Sequence, residues 1–384
     1  MSNKRNQATP QEEINPNQGR LHVSIELSLK KWKLGMSDGR VSRPRVVSID
    51  AAAWERFDRE IQKAKQRFGL EESAEVWTCY EAGREGFWIH RALEARGIHN
   101  LVVDAASIET NRRAKRVKTD RIDAEKLSRQ LVRYLGGEQG TWSVVRIPSP
   151  EVEDGRQLHR DLKVLKQERM QHRVRIQSLL ITKGIYIQVS AKFDQRLEQI
   201  QCWDHTPIRA QLRARLQREY RRLQQVESDI GELRKQQRAA IKTSTTHAMK
   251  QVRRLSQLRG IGTDSSWVFI MEFFGWRQFH NRRQVGGALG LTPTPYQSGE
   301  ANRDQGISHA GNKRVRTLAV EISWSWLRHQ PQSGLSQWYQ ERFASGGARM
   351  RKVGIVAMAR KLMIALWRYL EFGEVPDRAQ LKVV

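Results

Sequence analysis

From Leu21 the chain alternates. Leu21, Val23, Ile25, Leu27 and Leu29 are apolar with other residues between them, and Trp32 and Leu34 carry the pattern towards a turn at Ser37-Asp38-Gly39. A period of two predicts a strand with one buried face. Arg45 to Ile49 predicts a second strand, and Ala51 to Phe68 then reads as an amphipathic helix closed by Gly69. A short apolar strand from Ala74 to Tyr80 follows. Gly83 and Gly86 turn the chain into a helix through Ala95, Asn100 to Asp104 is a buried strand, and a further helix opens at Asp120. Strands first and then helices alternating with strands predict a ribonuclease-H-like α/β domain over 21–150.

The middle of the chain changes period. Leu158, Leu162 and Leu165, then Ile176 and Leu179, fall three and four apart, as do Leu212, Leu216, Tyr220, Leu223, Val226, Ile230 and Leu233. Long helices over 151–250 follow from this spacing, as a coiled coil that joins subunits or braces domains, or as a hairpin packed on its own subunit. At Leu258-Arg259-Gly260-Ile261-Gly262 a tight turn resembles that of a helix-hairpin-helix, whose backbone N–H groups can hold a phosphate. A glycine-punctuated region then runs to Lys313, and helical patterns at Arg314–Trp326 and Met350–Leu370 close a mostly α-helical C-terminal domain, 251–384. Residues 1–20, polar and nearly free of apolar side chains, read as a disordered tail.

Charge changes this picture from fold to partner. With 68 Lys and Arg against 41 Asp and Glu, the formal charge of +27 favours a polyanion, DNA or RNA. No stretch approaches the roughly 20 apolar residues of a membrane-spanning helix, which predicts a soluble cytoplasmic protein. Cys79 and Cys202 stand far apart and offer neither a disulfide framework nor a zinc site, so a metal would be held by oxygen.

The densest chemistry is Lys118-Thr119-Asp120-Arg121-Ile122-Asp123-Ala124, two carboxylates three residues apart at a helix start. Their spacing shares one helix face. The loop before them carries Arg112, Arg113, Lys115 and Arg116, expected to meet phosphates. Glu26 in the first strand and Glu81 just after a later one complete four acids that a ribonuclease-H-like sheet brings to one edge, where they can hold two Mg²⁺ ions roughly 4 Å apart. Read alone, Asp120 and Asp123 also fit a helix cap and first-turn acids. A second constellation runs from Gly290-Leu291-Thr292-Pro293 through Tyr296-Gln297-Ser298-Gly299 to Gly306-Ile307-Ser308 and Gly311-Asn312. Ser298, followed by the candidate phosphate contacts Arg303, Lys313, Arg314 and Arg316, can be a nucleophile if its proton is removed, or simply a turn residue.

Together, Val23-Ser24-Ile25-Glu26, Tyr80-Glu81-Ala82-Gly83, the Lys118–Ala124 element, Arg259-Gly260-Ile261-Gly262, Gly290–Pro293, Gln297-Ser298-Gly299 and Gly306-Ile307-Ser308 with Gly311-Asn312 resemble the DEDD transposases of the insertion-sequence 110 family. The resemblance spans about residues 21 to 345 and implies a RuvC-like domain joined through a coiled coil to a C-terminal transposase domain. It further implies that Glu81, Asp120 and Asp123 are the second, third and fourth Mg²⁺ ligands, and that Ser298 attacks DNA to form a phosphoserine link. A structured guide RNA from the element, and a dimer assembling to a tetramer on DNA, belong to the same expectation. One position departs from the family pattern. The first acid is normally Asp in a phrase like Ile-Asp-x-Ser-Lys, where this chain has Ile25-Glu26-Leu27-Ser28-Leu29-Lys30. Asp50 is the rival for that place, and Glu26 is preferred because Asp50 leaves too little chain before Glu81 for the remaining strands. Two other readings stay open: a RuvC-like metal-dependent nuclease without a covalent intermediate, and a non-catalytic nucleic-acid-binding protein.

Overall fold

The first alternating run is two strands. In the computed structural model β1 (Leu21–Leu27) turns at Ser28–Lys30 into β2 (Lys31–Ser37), which runs back antiparallel with Leu27 opposite Trp32 and Glu26 opposite Lys33. The apolar positions shift from odd to even numbers between Leu29 and Trp32, but no Gly or Pro marks the turn, so the sequence pattern reads as one strand. β3 (Arg45–Asp50) adds antiparallel to β2, while β4 (Val76–Glu81) and β5 (His99–Val103) add parallel on the other side of β1. The result is a mixed five-stranded sheet of order β3-β2-β1-β4-β5. The structure describes residues 19–41, 43–108, 120–298 and 301–382, and the chain divides into two compact units, Met1–Ile147 and Pro148–Val384.

Three helices cover the sheet: α1 (Trp54–Arg67), α2 (Trp88–Glu94) and α3 (Asp120–Leu135). Leu21, Val23 and Ile25 share a core with Phe57 and Ile61 of α1 and Ile89 of α2. The alternate strand residues face α3, as a period of two requires. Cys79 and Val103 pack there with Leu127, Leu131 and Trp142, and the buried Ser24 hydroxyl donates to the Ala124 carbonyl of α3 at 2.6 Å. Gly35 on β2 is what lets the helix come this close. A Cβ at Gly35 would lie 2.6 Å from Ser24 Oγ and 2.8 Å from the Ala124 carbonyl oxygen. Gly35→Ala should therefore cost about 1–3 kcal/mol by overpacking. Denaturant unfolding of the full chain, with hydrogen exchange read over β1, β2 and α3, checks this, and an unchanged midpoint refutes it.

The second unit is helical. It runs through α4 (Pro150–Asp154), α5 (Gln157–Ile181), α6 (Phe193–Leu197), α7 (Ala210–Thr243), α8 (His247–Ser256) and α9 (Thr263–Phe269), which continues as a π-helical turn, Ile270–Phe274. Then come α10 (Arg282–Leu289), the β6 (Pro293–Ser298) and β7 (Ala301–Ile307) hairpin, α11 (Lys313–His329), α12 (Gly334–Tyr339) and α13 (Ala348–Phe372). α5 and α7 form an antiparallel hairpin within the chain. Leu162 near the start of α5 packs on Val226 and Ile230 at the middle of α7, while Ile176 and Leu180 at its end meet Leu216 and Tyr220. The apolar seam read from the sequence is thus covered by the chain itself. At the hairpin tip Phe193, Leu197 and Ile208 fill the gap between the helices, and Tyr186 and Trp203 stand 80% and 76% exposed. Around α13, whose Met358, Ala359, Leu362, Met363 and Leu366 are fully buried, α8 to α12 build one large core. No helix among the described residues is long and apolar enough to cross a membrane.

Candidate active site

In the first unit the sheet brings Glu26 and Glu81 together. β1 and β4 run parallel with Ser24 opposite Cys79 and Ile25 opposite Tyr80, so one step further Glu26 is level with Glu81 at the ends of adjacent strands. Both lie on the face that α3 covers, because Ser24 and Cys79, two residues earlier, contact Ala124 and Leu127. Passing from Ser24 to Glu26 along β1 corresponds to passing from Ala124 back to Asp120 along α3. The first turn of α3 therefore sets Asp120 and the half-buried Asp123 at the same end of the sheet. Asp50 ends the edge strand β3, two strands away from β1, where it pairs with Lys31 at 2.7 Å.

A cation sits among these acids. Lys33, the cross-strand neighbour of Glu26, extends its Nζ to 3.2 Å from Asp120 Oδ2. Among the described residues no three His, Cys, Asp or Glu side chains form a group that could hold a metal ion. The four acids converge on one end of the sheet without closing into such a cage. Chemically the set is all carboxylate, the donor type that hard divalent cations take. Lys33 carries a sequence signal that becomes readable only once the Ser28–Lys30 turn is known, since pairing across the hairpin puts it opposite Glu26. Arg112, Arg113, Lys115 and Arg116 lie outside the described residues, as do residues 1–18 of the expected tail.

In the second unit the backbone places Ser298 at the last rung of β6, opposite Ala301, and Arg303 opposite Tyr296. The root of this hairpin is closely built. Ser308 N donates to the Thr292 carbonyl at 2.9 Å and His309 N to that of Gly290 at 3.2 Å. Gly290 and Gly311 both have positive φ, 66° and 74°, and a side chain on either would collide with the Ala310 or Ala288 carbonyl. Lys313 is exposed at the first turn of α11. Arg314 and Arg316 have partners inside the fold: Arg314 Nη1 lies 3.0 Å from Glu272 Oε1, and Arg316 Nη1 donates to the carbonyls of Ala310 and Leu289 at 2.8 and 3.2 Å. Glu272 itself, 2% exposed in the apolar run Phe269–Phe274, is a residue that sequence reasoning missed. Its signal was available, because a lone acid in such a run must find partners.

The pattern of the family described as "Transposase IS116/IS110/IS902 family" matches residues 252–340, which include Glu272, the β6–β7 hairpin and all of α11 and α12. Over 379 residues, 95% of this chain and 95% of the relative, the sequence is 40% identical to "Putative transposase y4rJ" of Sinorhizobium fredii. The chain belongs to the IS116/IS110/IS902 transposase family. Similarity extends more weakly to "Putative transposase y4qE" of the same organism, 28% identical over 71% of this chain and 64% of that protein. It extends also to the transposase for insertion sequence element IS1111A of Coxiella burnetii, 24% identical over 64% of each chain. As a member of a transposase family the chain acts on DNA, and its charge of +27 is of the sign that a phosphate backbone attracts.

Proposed function

We propose that this transposase cuts and rejoins DNA through a covalent phosphoserine intermediate on Ser298, assisted by Mg²⁺ held by Glu26, Glu81, Asp120 and Asp123. The observation that carries the reading is the register of β1 against β4, which sets Glu26 beside Glu81 on the face where α3 brings Asp120 and Asp123. The strand order β3-β2-β1-β4-β5, three antiparallel strands followed by two parallel ones, supports a ribonuclease-H-like, RuvC-like first unit. An all-carboxylate donor set suits Mg²⁺, and Asp120 would exchange Lys33 for it. When bound, the divalent cation neutralises charge that develops on the phosphate oxygens.

Ser298 supplies the nucleophile. Its hydroxyl gives up its proton to solvent as Oγ bonds to phosphorus, and a deoxyribose oxygen leaves with the pair of electrons from the broken P–O bond and takes up a proton from solvent. The ester so formed keeps the phosphodiester in activated form. Attack by a DNA hydroxyl on that phosphorus reverses the step, releases Ser298 and joins a new pair of strands without ATP. A structured guide RNA from the element fits a chain of net charge +27 that lacks an obvious base-reading motif, since base pairing then carries sequence and the protein grips backbone. Exchange of two duplexes requires several strand breaks, which a dimer assembling to a tetramer provides.

The deciding experiment incubates the protein with element-end DNA, the flanking transcript and Mg²⁺, then denatures it and looks for DNA covalently attached to protein. An adduct sustains the proposal. Cleavage without adduct points to a nuclease that uses activated water, and neither product points to a binding protein. The grip on backbone also has its own signature. With about 6–10 phosphate contacts, nucleic-acid affinity should fall on the order of 10³–10⁵-fold between 50 and 200 mM salt. Fluorescence anisotropy at graded salt measures this, and a flat response would contradict charge-led binding.

A further inference from the structure

Among the described residues of the second unit, Glu272 is the most heavily coordinated side chain. Its Oε1 accepts from His159 Nε2 at 2.8 Å, Arg160 Nε at 2.9 Å and Arg314 Nη1 at 3.0 Å. Its Oε2 accepts from Arg160 Nη2 at 3.0 Å and Asn312 Nδ2 at 3.2 Å. Burial alone would raise the pKa of this carboxyl, but the hydrogen bonds from His159 and Arg160 outweigh it and hold the group well below the usual carboxylate range. Its backbone is unusual too, since it lies in the π-helical turn that continues α9, a form that recurs at functional sites.

The donors come from two places that matter differently. His159 and Arg160 belong to the first turn of α5, the base of the helical hairpin. Asn312 and Arg314 belong to the exit of the β6–β7 hairpin. Asn312 has both ends of its amide engaged: Oδ1 caps α11 by accepting from Arg314 N and Val315 N at 2.9 and 3.3 Å, while Nδ2 reaches Glu272. One residue earlier Gly311 is wedged against Ala288, and Ser308 and His309 are bonded to Thr292 and Gly290. A rigid chain of contacts thus runs from α5 through Glu272 and Asn312 to both strands of the hairpin that carries Ser298. A purely stabilising role explains this poorly, because buried ion clusters are often no better for stability than apolar packing of the same volume. What five directional bonds on one carboxylate supply is register.

We infer that Glu272 is a positioning residue for Ser298, fixing the root of the β6–β7 hairpin against the base of α5. The inference rests on Ser298 being the nucleophile. Two variants of the full chain test it. Glu272→Gln keeps the shape and removes the charge, and Asn312→Ser keeps a helix cap on α11 while removing the bond to Glu272. Each is compared with wild type for nucleic-acid affinity, rate of adduct formation, and hydrogen exchange over residues 306–312 and α13.

The expected result is unchanged affinity, retained protection of α13, faster exchange over 306–312 and an adduct rate lower by about 10²-fold, the penalty of an ångström-scale misplacement. A normal adduct rate in both variants overturns the inference, and so does unchanged exchange at the hairpin root. If Glu272→Gln fails to fold, Asn312→Ser decides alone. A wild-type protein that forms no adduct overturns the reading of Ser298 and this role with it, whereas adduct from wild type undiminished in the variants overturns only the role of Glu272.

Discussion

Ser298→Ala is expected to abolish the protein–DNA adduct and all strand joining while leaving nucleic-acid binding intact. Removing the attacking oxygen leaves nothing to form the ester, so the loss should be on the order of 10⁴-fold or more. Binding should survive because it is led by charge, spread over 68 Lys and Arg, and one hydroxyl contributes little to it. Two assays on one preparation read the result: covalently attached DNA after denaturation, and affinity by anisotropy. Residual adduct in the alanine variant would move the nucleophile to another residue. Residual cleavage without adduct, in wild type as well as variant, would return the chemistry to water.

The second large effect belongs to Asp120. In Asp120→Ala one of four proposed oxygen ligands, the one that opens α3, is gone. Metal stabilisation of phosphoryl transfer is worth several kcal/mol, so the adduct rate should drop by about 10³-fold. Stability should hardly change. The Lys33–Asp120 pair is part-exposed, with 63% of the Asp120 side chain in solvent, and such pairs contribute below about 1 kcal/mol. Loss of activity at an unchanged unfolding midpoint is thus the expected signature, and titration with Mg²⁺ should require a higher concentration than wild type for any remaining turnover. An Asp120→Ala variant as active as wild type would remove Asp120 from the site.

Much of the first unit was legible because its signals are local. The runs at Asn100–Asp104 and Ala74–Tyr80 and the helix from Asp120 each declare themselves within a few residues, and the structure has strands at His99–Val103 and Val76–Glu81 and a helix at Asp120–Leu135. The β1–β2 hairpin was not read, since no Gly or Pro breaks Ser28–Lys30 and the turn that pairs Glu26 with Lys33 is marked only by a one-residue shift of the alternation between Leu29 and Trp32. In the second unit the sequence showed cations after Ser298 but not that Arg314 and Arg316 have acceptors inside the fold. Their partners are Glu272, 42 residues away, and carbonyls 6 and 27 residues away. Charge is readable from a sequence, whereas the acceptor that engages it depends on the fold. The acids at strand and helix ends were expected at one sheet edge only by way of the fold class, because their adjacency comes from strand order, which periodicity does not encode.

The helical hairpin gives the Glu272 cluster a long arm. α5 has 25 residues, about 37 Å at 1.5 Å per residue, with His159 and Arg160 in its first turn and the exposed Tyr186 and Trp203 beyond its far end. A tilt of about 5° about that first turn sweeps the far end through about 3 Å at this length. Read the other way, a small force on the tip is multiplied into torque at the carboxylate, so the hairpin has the proportions of a lever with its fulcrum beside the root of the β6–β7 hairpin.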